Sequence, residues 1–159
     1  MNIVEHFKEI VFEMHTAHFM YGTQMEVNKR LMNKKNRYDK YPLIVLYTPL
    51  DGTYGDGVMN YRLNLTILEY TKTSLDAEQR TANVFVPTLI PLYKQLMQSI
   101  RDVGPFSWEG DMEKPPHGST MIPYWGVESA AGMVKRIYND PLDAIAITDL
   151  RVSQVPDCD

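Results

Sequence analysis

Two rhythms of apolar residues run along this chain, and its elements change where one gives way to the other. Over residues 2–21 the period is helical. Ile3, Phe7, Ile10, Met14 and Tyr21 share one face, widened by Val4 and Val11, while Glu5, Glu9 and Glu13 lie opposite. Gly22 then suits a helix stop. The basic stretch "NKRLMNKKNRYDK" (28–40) follows, with a short helix around Glu26–Met32 and then loop.

The next apolar run, "KYPLIVLYT" (40–48), is continuous and of strand length, with Pro42 tolerable near its start. "MNYRLNLTILEYTK" (59–72) alternates instead. Tyr61, Leu63, Leu65 and Ile67 fall on one face and Arg62, Asn64 and Thr66 on the other, the mark of a half-buried strand. Between them, "PLDGTYGDGV" (49–58) holds three glycines and two aspartates. A phosphate loop needs a helix after it, to aim free N–H groups at the anion, and here a strand follows. A calcium loop starting at Asp51 would need an acid at its twelfth position, which is Arg62. The segment therefore reads as a hairpin connection, with Asp51-Gly52 and Asp56-Gly57 as turn dipeptides.

Helical spacing returns in "SLDAEQRTANVFVPTLIPLYKQLMQSIRD" (74–102), where Val84, Leu89, Leu92, Leu96 and Ile100 form a stripe. Asp76 and Gln79 have capping-box spacing. Pro87 and Pro91 predict a kink or break, with Pro91 opening a second piece. Residues 103–141, rich in Gly, Pro and aromatics, are the least regular, an extended excursion (103–139) with room for a loose hairpin. Trp108, Tyr124 and Trp125 are costly to leave in water, so they should pack on the core or a neighbour. In the closing strand "LDAIAITDLRVSQV" (142–155), Ile145 and Ile147 face one way but Leu150 and Val152 the other, which predicts a bulge near Thr148–Asp149. The pattern predicts a single α+β domain over 1–159, an antiparallel sheet with both helices on its buried face.

Composition changes this picture little. The 159 residues are 44% hydrophobic and 23% charged with net charge −4, the balance of an ordinary globular protein without a global nucleic-acid signature. No apolar run is long enough for a membrane helix, and the charged N-terminus does not read as a signal peptide, so the protein is expected to stay where it is made. Cys158 is the single cysteine, which excludes an internal disulfide and Cys-rich zinc sites. Ten tyrosines and ten methionines hint at contact surfaces.

Candidate chemistry is sparse. Of His6, His15, His18 and His117, the pair His15 and His18 has a helical spacing that can share a metal, against the commoner buried or interface histidine. No G-x-S-x-G motif and no converging carboxylates appear, so no catalytic, cofactor or metal residues are assigned and the chain does not read as an enzyme. Lys29, Arg30, Lys34, Lys35, Arg37 and Lys40 are the strongest local charge feature. They read as a solvated loop or oligomer contact, with a nucleic-acid-binding accessory protein as the alternative.

The stretches "YDKYPLIVLYTPLDG", "YRLNLTILEYTK", "SLDAEQRTANVFVPTLIPLYKQLMQSI" and "DPLDAIAITDLRVS" together resemble small neck proteins of tailed bacteriophages, most of all those of Bacteroides-infecting, crAss-like phages. The likeness spans about residues 38–101 and 140–155. It rests on the basic stretch feeding "KYPLI", a helix start with Ser74 followed by an arginine (Arg80, one position late), the twin-proline "VPTLIPLY" and the strand "DAIAITDLRV". The order of elements is also similar to the tail-terminator and tail-completion fold. The resemblance implies a structural homo-oligomeric ring of six or twelve copies in the virion neck, made in the host cytoplasm. Its partners would be portal, connector or tail proteins, and DNA would pass through its channel without sequence-specific contact. It supplies no catalytic residues, no cofactor and no membrane partner. The reaching elements of such a ring would be the loop 49–58, the basic stretch and the excursion. They nominate Asp51, Tyr54, Asp56, Lys34, Lys35, Arg37, Trp108, Tyr124 and Trp125 as assembly contacts.

Overall fold

The first helix is shorter than its apolar period suggests. A computed structural model describes residues 2–110, 112–130, 133–136 and 140–155, with the side chains of 127–130 and 133–136 excepted. Helix α1 (Ile3–Met14) opens on a reciprocal capping box between Asn2 and Glu5 and ends at His15, which takes the left-handed conformation (φ 57°). The helical phase already fails at His18, the position one turn past Met14. Residues His18–Gly22 form strand β1 instead, parallel to β2 (Leu43–Tyr47) with His18 opposite Leu43. Tyr21 is thus a half-buried strand residue and not part of the helix face.

Helix α2 (Gln24–Met32), the expected short helix, has its own capping box from Thr23 and Glu26, and a 3₁₀ turn (Arg37–Asp39) leads into β2. Strand β3 (Asp51–Gly55) then turns tightly into β4 (Val58–Tyr70). Asp56 and Gly57 both have positive φ (53° and 77°), the requirement of a type I′ turn. The segment 49–58 is a hairpin as expected, but half of it is strand rather than loop. One edge of β4 pairs in succession with β3 (Asp51 opposite Arg62) and β2 (Leu46 opposite Leu65). The other edge pairs with β8 (Leu142–Gln154) from end to end. The predicted bulge is present. Leu63 faces Leu150 and Leu65 faces Ile147, so Thr148 and Asp149 stand against Asn64 alone, with Asp149 at φ 52°.

Three helical segments follow β4 without interruption: α3 (Ala77–Arg80), a π-helical stretch (Thr81–Leu89) and α4 (Ile90–Asp102). The Asp76–Gln79 capping box forms as its spacing predicts. Pro87 lies inside the π-helical stretch, where the wider turn relieves the clash of its ring with the preceding turn, so the helix is rewound rather than broken. Pro91 sits in the first turn of α4, its φ suited to the helix, and its missing N–H forgoes one bond to the preceding π-helical turn. The excursion is more regular than its composition suggests. It supplies β5 (Gly118–Trp125), which pairs with β8, and a hairpin of β6 (Val127–Ala130) and β7 (Met133–Arg136).

The main sheet is therefore six-stranded and mixed, in the order β1-β2-β4-β8-β5 with β3 beside the far half of β4. The all-antiparallel expectation fails at β1, which runs beside β2 in the same direction. Helices α1 and α4 with the π-helical stretch bury Phe7, Ile10, Phe85, Leu89, Leu96 and Ile100 against Leu63, Leu65, Ile67, Ile145 and Ile147. That face is as expected. The opposite face is only partly solvent-facing, for α2 covers its near half through Val27 and Leu31 against Leu43, Val45, Leu68 and Ala144. Thr66, expected on the wet face, is buried there, whereas Arg62 and Asn64 are exposed.

One residue of β4 is held against its own charge. Glu69 lies opposite the fully buried Asp143, and burial pushes its carboxyl above the ordinary carboxylate range. The Tyr70 N–H and the Arg37 charge pull only partly back. A raised carboxyl stabilises the fold below its unfolded pKa, and that contribution is lost as pH rises through the folded value. Glu69→Gln should therefore match the parent chain near pH 4 and exceed it at pH 7 in urea midpoint.

Candidate hairpin-arm site

The far half of the sheet is the least covered part of the molecule. All five residues of β3 are exposed, and β3 pairs with no strand but β4 among the described residues. With the ends of β4 and β8 it makes a three-stranded arm whose polar face carries cross-strand rows. Asp51 stands opposite Arg62, and Arg62 opposite Arg151; Thr53 stands opposite Asn60, and Asn60 opposite Ser153. Two arginines facing each other would repel, and the bulge solves this by turning Asp149 between them. Arg151 donates to Asp149 through Nε and Nη2 at 3.0 and 2.7 Å, and Arg62 Nε lies 3.8 Å from the other carboxylate oxygen. The hydrogen bond from Arg151 holds Asp149 below the ordinary carboxylate range, with the charges of Arg151 and Arg62 assisting. Ser153 donates to Asn60 at 2.6 Å in the next row.

The segment after α4 lies along the outer edge of β8 in the arm. Ser107 and Ser153 exchange two backbone hydrogen bonds, and the Arg151 N–H donates to the Pro116 carbonyl. Trp108, Glu109 and Pro116 thereby become one wall of a groove of about 490 Å³, with Asp51, Arg62 and Arg151 among the residues lining it. The first part of the excursion, up to His117, is pinned at both ends. Phe106 stacks on Phe7 at 5.5 Å. His117 Nδ1 donates to the Pro115 carbonyl, which leaves Nε2 to accept from the Tyr93 hydroxyl on α4.

Of the nominated residues, Asp51 and Trp108 meet in this groove, and Tyr54 and Asp56 stand beyond it near and at the tip, Tyr54 being 64% exposed. Arg62, Asn60, Arg151, Ser153 and Asp149 were not nominated. Their shared face was legible in the alternation of β4, but their partnership depends on the bulge-shifted register of β8. The remaining nominees lie elsewhere. Tyr124 and Trp125 sit at the other end of the sheet and serve the fold. The Tyr124 hydroxyl donates to the Thr73 carbonyl, its ring lies 3.5 Å under the Arg80 guanidinium, and Trp125 stacks on Tyr47.

The basic stretch is partly consumed within the chain. Lys40 is buried and pairs with Asp140 at 3.2 Å; Arg30 donates to the Tyr21 carbonyl; Arg37 lies over the rings of Tyr38 and Tyr70. Lys29, Lys34 and Lys35 stay exposed. His15 and His18 lose their helical spacing, one capping α1 and the other opening β1 with Nε2 on the Tyr38 carbonyl. Among the described residues no three His, Cys, Asp or Glu side chains cluster as a metal site, and no helix is long and apolar enough to cross a membrane. Comparison with known proteins leaves the geometry to speak alone: no protein-family model, curated protein or solved structure matches the chain.

Proposed function

We propose that this chain is a structural ring component of a phage neck, six or twelve copies joining the portal and head to the tail around the DNA channel, with a tail-terminator-like fold. The observation that carries the reading, beside the resemblance of the chain to such proteins, is the arm. Ordering a strand costs about 1–2 kcal/mol of backbone entropy per residue, which burial of its side chains normally offsets. Yet all five residues of Asp51–Gly55 are exposed, and the strand is supported on one edge only among the described residues. Such a projection suits a contact made in an assembly, where a neighbour supplies the missing burial. In a cyclic ring each subunit presents one surface to a different surface of the next, and an arm at one end of the sheet with aromatics at the other gives two unlike ends.

Two experiments test this. Antibody raised against the chain should label the head–tail junction of phage particles that encode it; its absence from purified particles overturns the reading. Removing Tyr54–Gly55 together with Val58–Met59 keeps the Asp56-Gly57 turn and shortens the arm in register, with Thr53 and Asn60 as the new hydrogen-bonded closing pair. That variant should stay folded by circular dichroism but block particle maturation. Normal infectious yield would remove the arm from the assembly.

A further inference from the structure

We propose that β3 is a pairing edge and that its occupant is β3 of a second copy of this chain, added antiparallel about a two-fold axis through Thr53. The edge is open by construction. Strand β1 ends at Gly22 opposite Tyr47, so the lane beyond β2 is filled next to β2 but empty next to β3 among the described residues. A two-residue turn closes on a hydrogen-bonded pair, here Gly55 with Val58, and antiparallel pairing alternates from there. Thr53 and Asp51 therefore aim their backbone groups at β4, and Gly52 and Tyr54 aim theirs outward. Neither lysine nor proline nor bulge guards this edge, and its one charge, Asp51, stands at its first position.

A second copy fits for three reasons. The arm's other edge is already covered, because Ser107 takes both outward backbone groups of Ser153 and the Pro116 carbonyl takes the Arg151 N–H. Two arms can thus join edge to edge only through β3. An axis through Thr53 sets Gly52 against the partner's Tyr54 and Tyr54 against the partner's Gly52, the two positions with outward backbone groups, giving four hydrogen bonds. It also sets Asp51 against the partner's Gly55, so the like charges sit at opposite ends of the ladder. Side chains complete the match. Met59 and Tyr61 close so tightly over Gly52 that a Cβ there would lie 3.3 Å from both, making an apolar floor beside a residue with no side chain. The partner's Tyr54 ring, exposed in one copy, covers that floor, and the two threonines face each other as a favourable cross-strand pair. This contact goes beyond the neck reading and does not rest on it: a cyclic ring has no such two-fold between neighbours, so the pair joins copies outside the ring or two rings back to back.

The test uses a disulfide trap. In a Cys158→Ser background, Thr53→Cys places two thiols on a non-hydrogen-bonded cross-strand pair, and Glu78→Cys, exposed on α3, reports random collision. Under glutathione oxidation Thr53→Cys should form covalent dimer roughly tenfold faster or more than Glu78→Cys, because pairing raises the effective thiol concentration. Equal rates overturn the proposal. In sedimentation velocity the parent chain should self-associate, and Thr53→Lys, which opposes two like charges without touching the backbone, should lower the dimer fraction. A Thr53→Lys chain that is folded by circular dichroism and associates like the parent overturns it as well.

Discussion

Arg80→Ala is expected to cost about 3–5 kcal/mol in urea unfolding, the scale for stripping one partner from a buried ion pair. Arg80 and Asp143 are 4% and 0% exposed and lie 3.7 Å apart, too far for a hydrogen bond between Nε and Oδ1. The pair is held from outside. The Tyr124 N–H donates to Asp143 at 3.0 Å, an Arg80 Nη2 reaches the Lys72 carbonyl at 3.4 Å, and the Tyr124 ring stacks under the guanidinium. Arg80 Nε and Asp143 Oδ2 find no hydrogen-bond partner among the described residues. Taking away the arginine leaves a carboxylate in the interior opposite Glu69, without the ion-pair partner it has among the described residues. The fully buried Asp143 then faces the half-buried Glu69 without the Arg80 charge, which is why the loss exceeds that of an exposed pair. The same reasoning predicts that Arg80→Met with Asp143→Leu recovers most of the loss, since a buried pair is worth little more than good apolar packing. A double variant no better than Arg80→Ala would show that the guanidinium's stacking on Tyr124 matters more than its charge.

Phe7→Ala should be of similar size, about 3–5 kcal/mol, from lost apolar transfer and the cavity left behind. Phe7 is fully buried in α1 and carries Phe106 on its ring, so it fastens the excursion as well as the helix. Its removal should therefore do more than lower stability. The segment 105–117 should exchange its amides faster, because a main apolar anchor of its first part is gone while the Tyr93–His117 contact remains. Phe7→Leu, which keeps most of the volume, should lose less than half as much. If exchange in that segment is unchanged in Phe7→Ala, the stacking on Phe106 does not hold the excursion.

Arg80 and Asp143 also show how distant stretches of the sequence meet in the folded chain. They come from two of its separate stretches, the helix start and the last strand, and the fold brings them into one ion pair. No spacing along the chain announces such a pair, because its two members are joined by tertiary packing alone.

The elements that sequence determined are those whose signal is local. The capping boxes at Asp76 and the Asp56-Gly57 turn depend on hydrogen bonds and φ values within four residues, and both form as read. The alternation of β4 and the phase flip in β8 likewise fixed which side chains go inward, and so required a bulge at Thr148–Asp149. What only the tertiary structure decided is what lies beside what. "HFMYG" became a strand because β2 offered it an edge, overriding a helical phase that had already lost its apolar residue at His18. The excursion gave β5 because the outer edge of β8 would otherwise leave backbone groups unpaired. The polar rows of the arm, with Asp149 between Arg62 and Arg151, exist only in the bulge-shifted register. A pattern of period two says which face a residue takes, but not which residue on another strand it will meet.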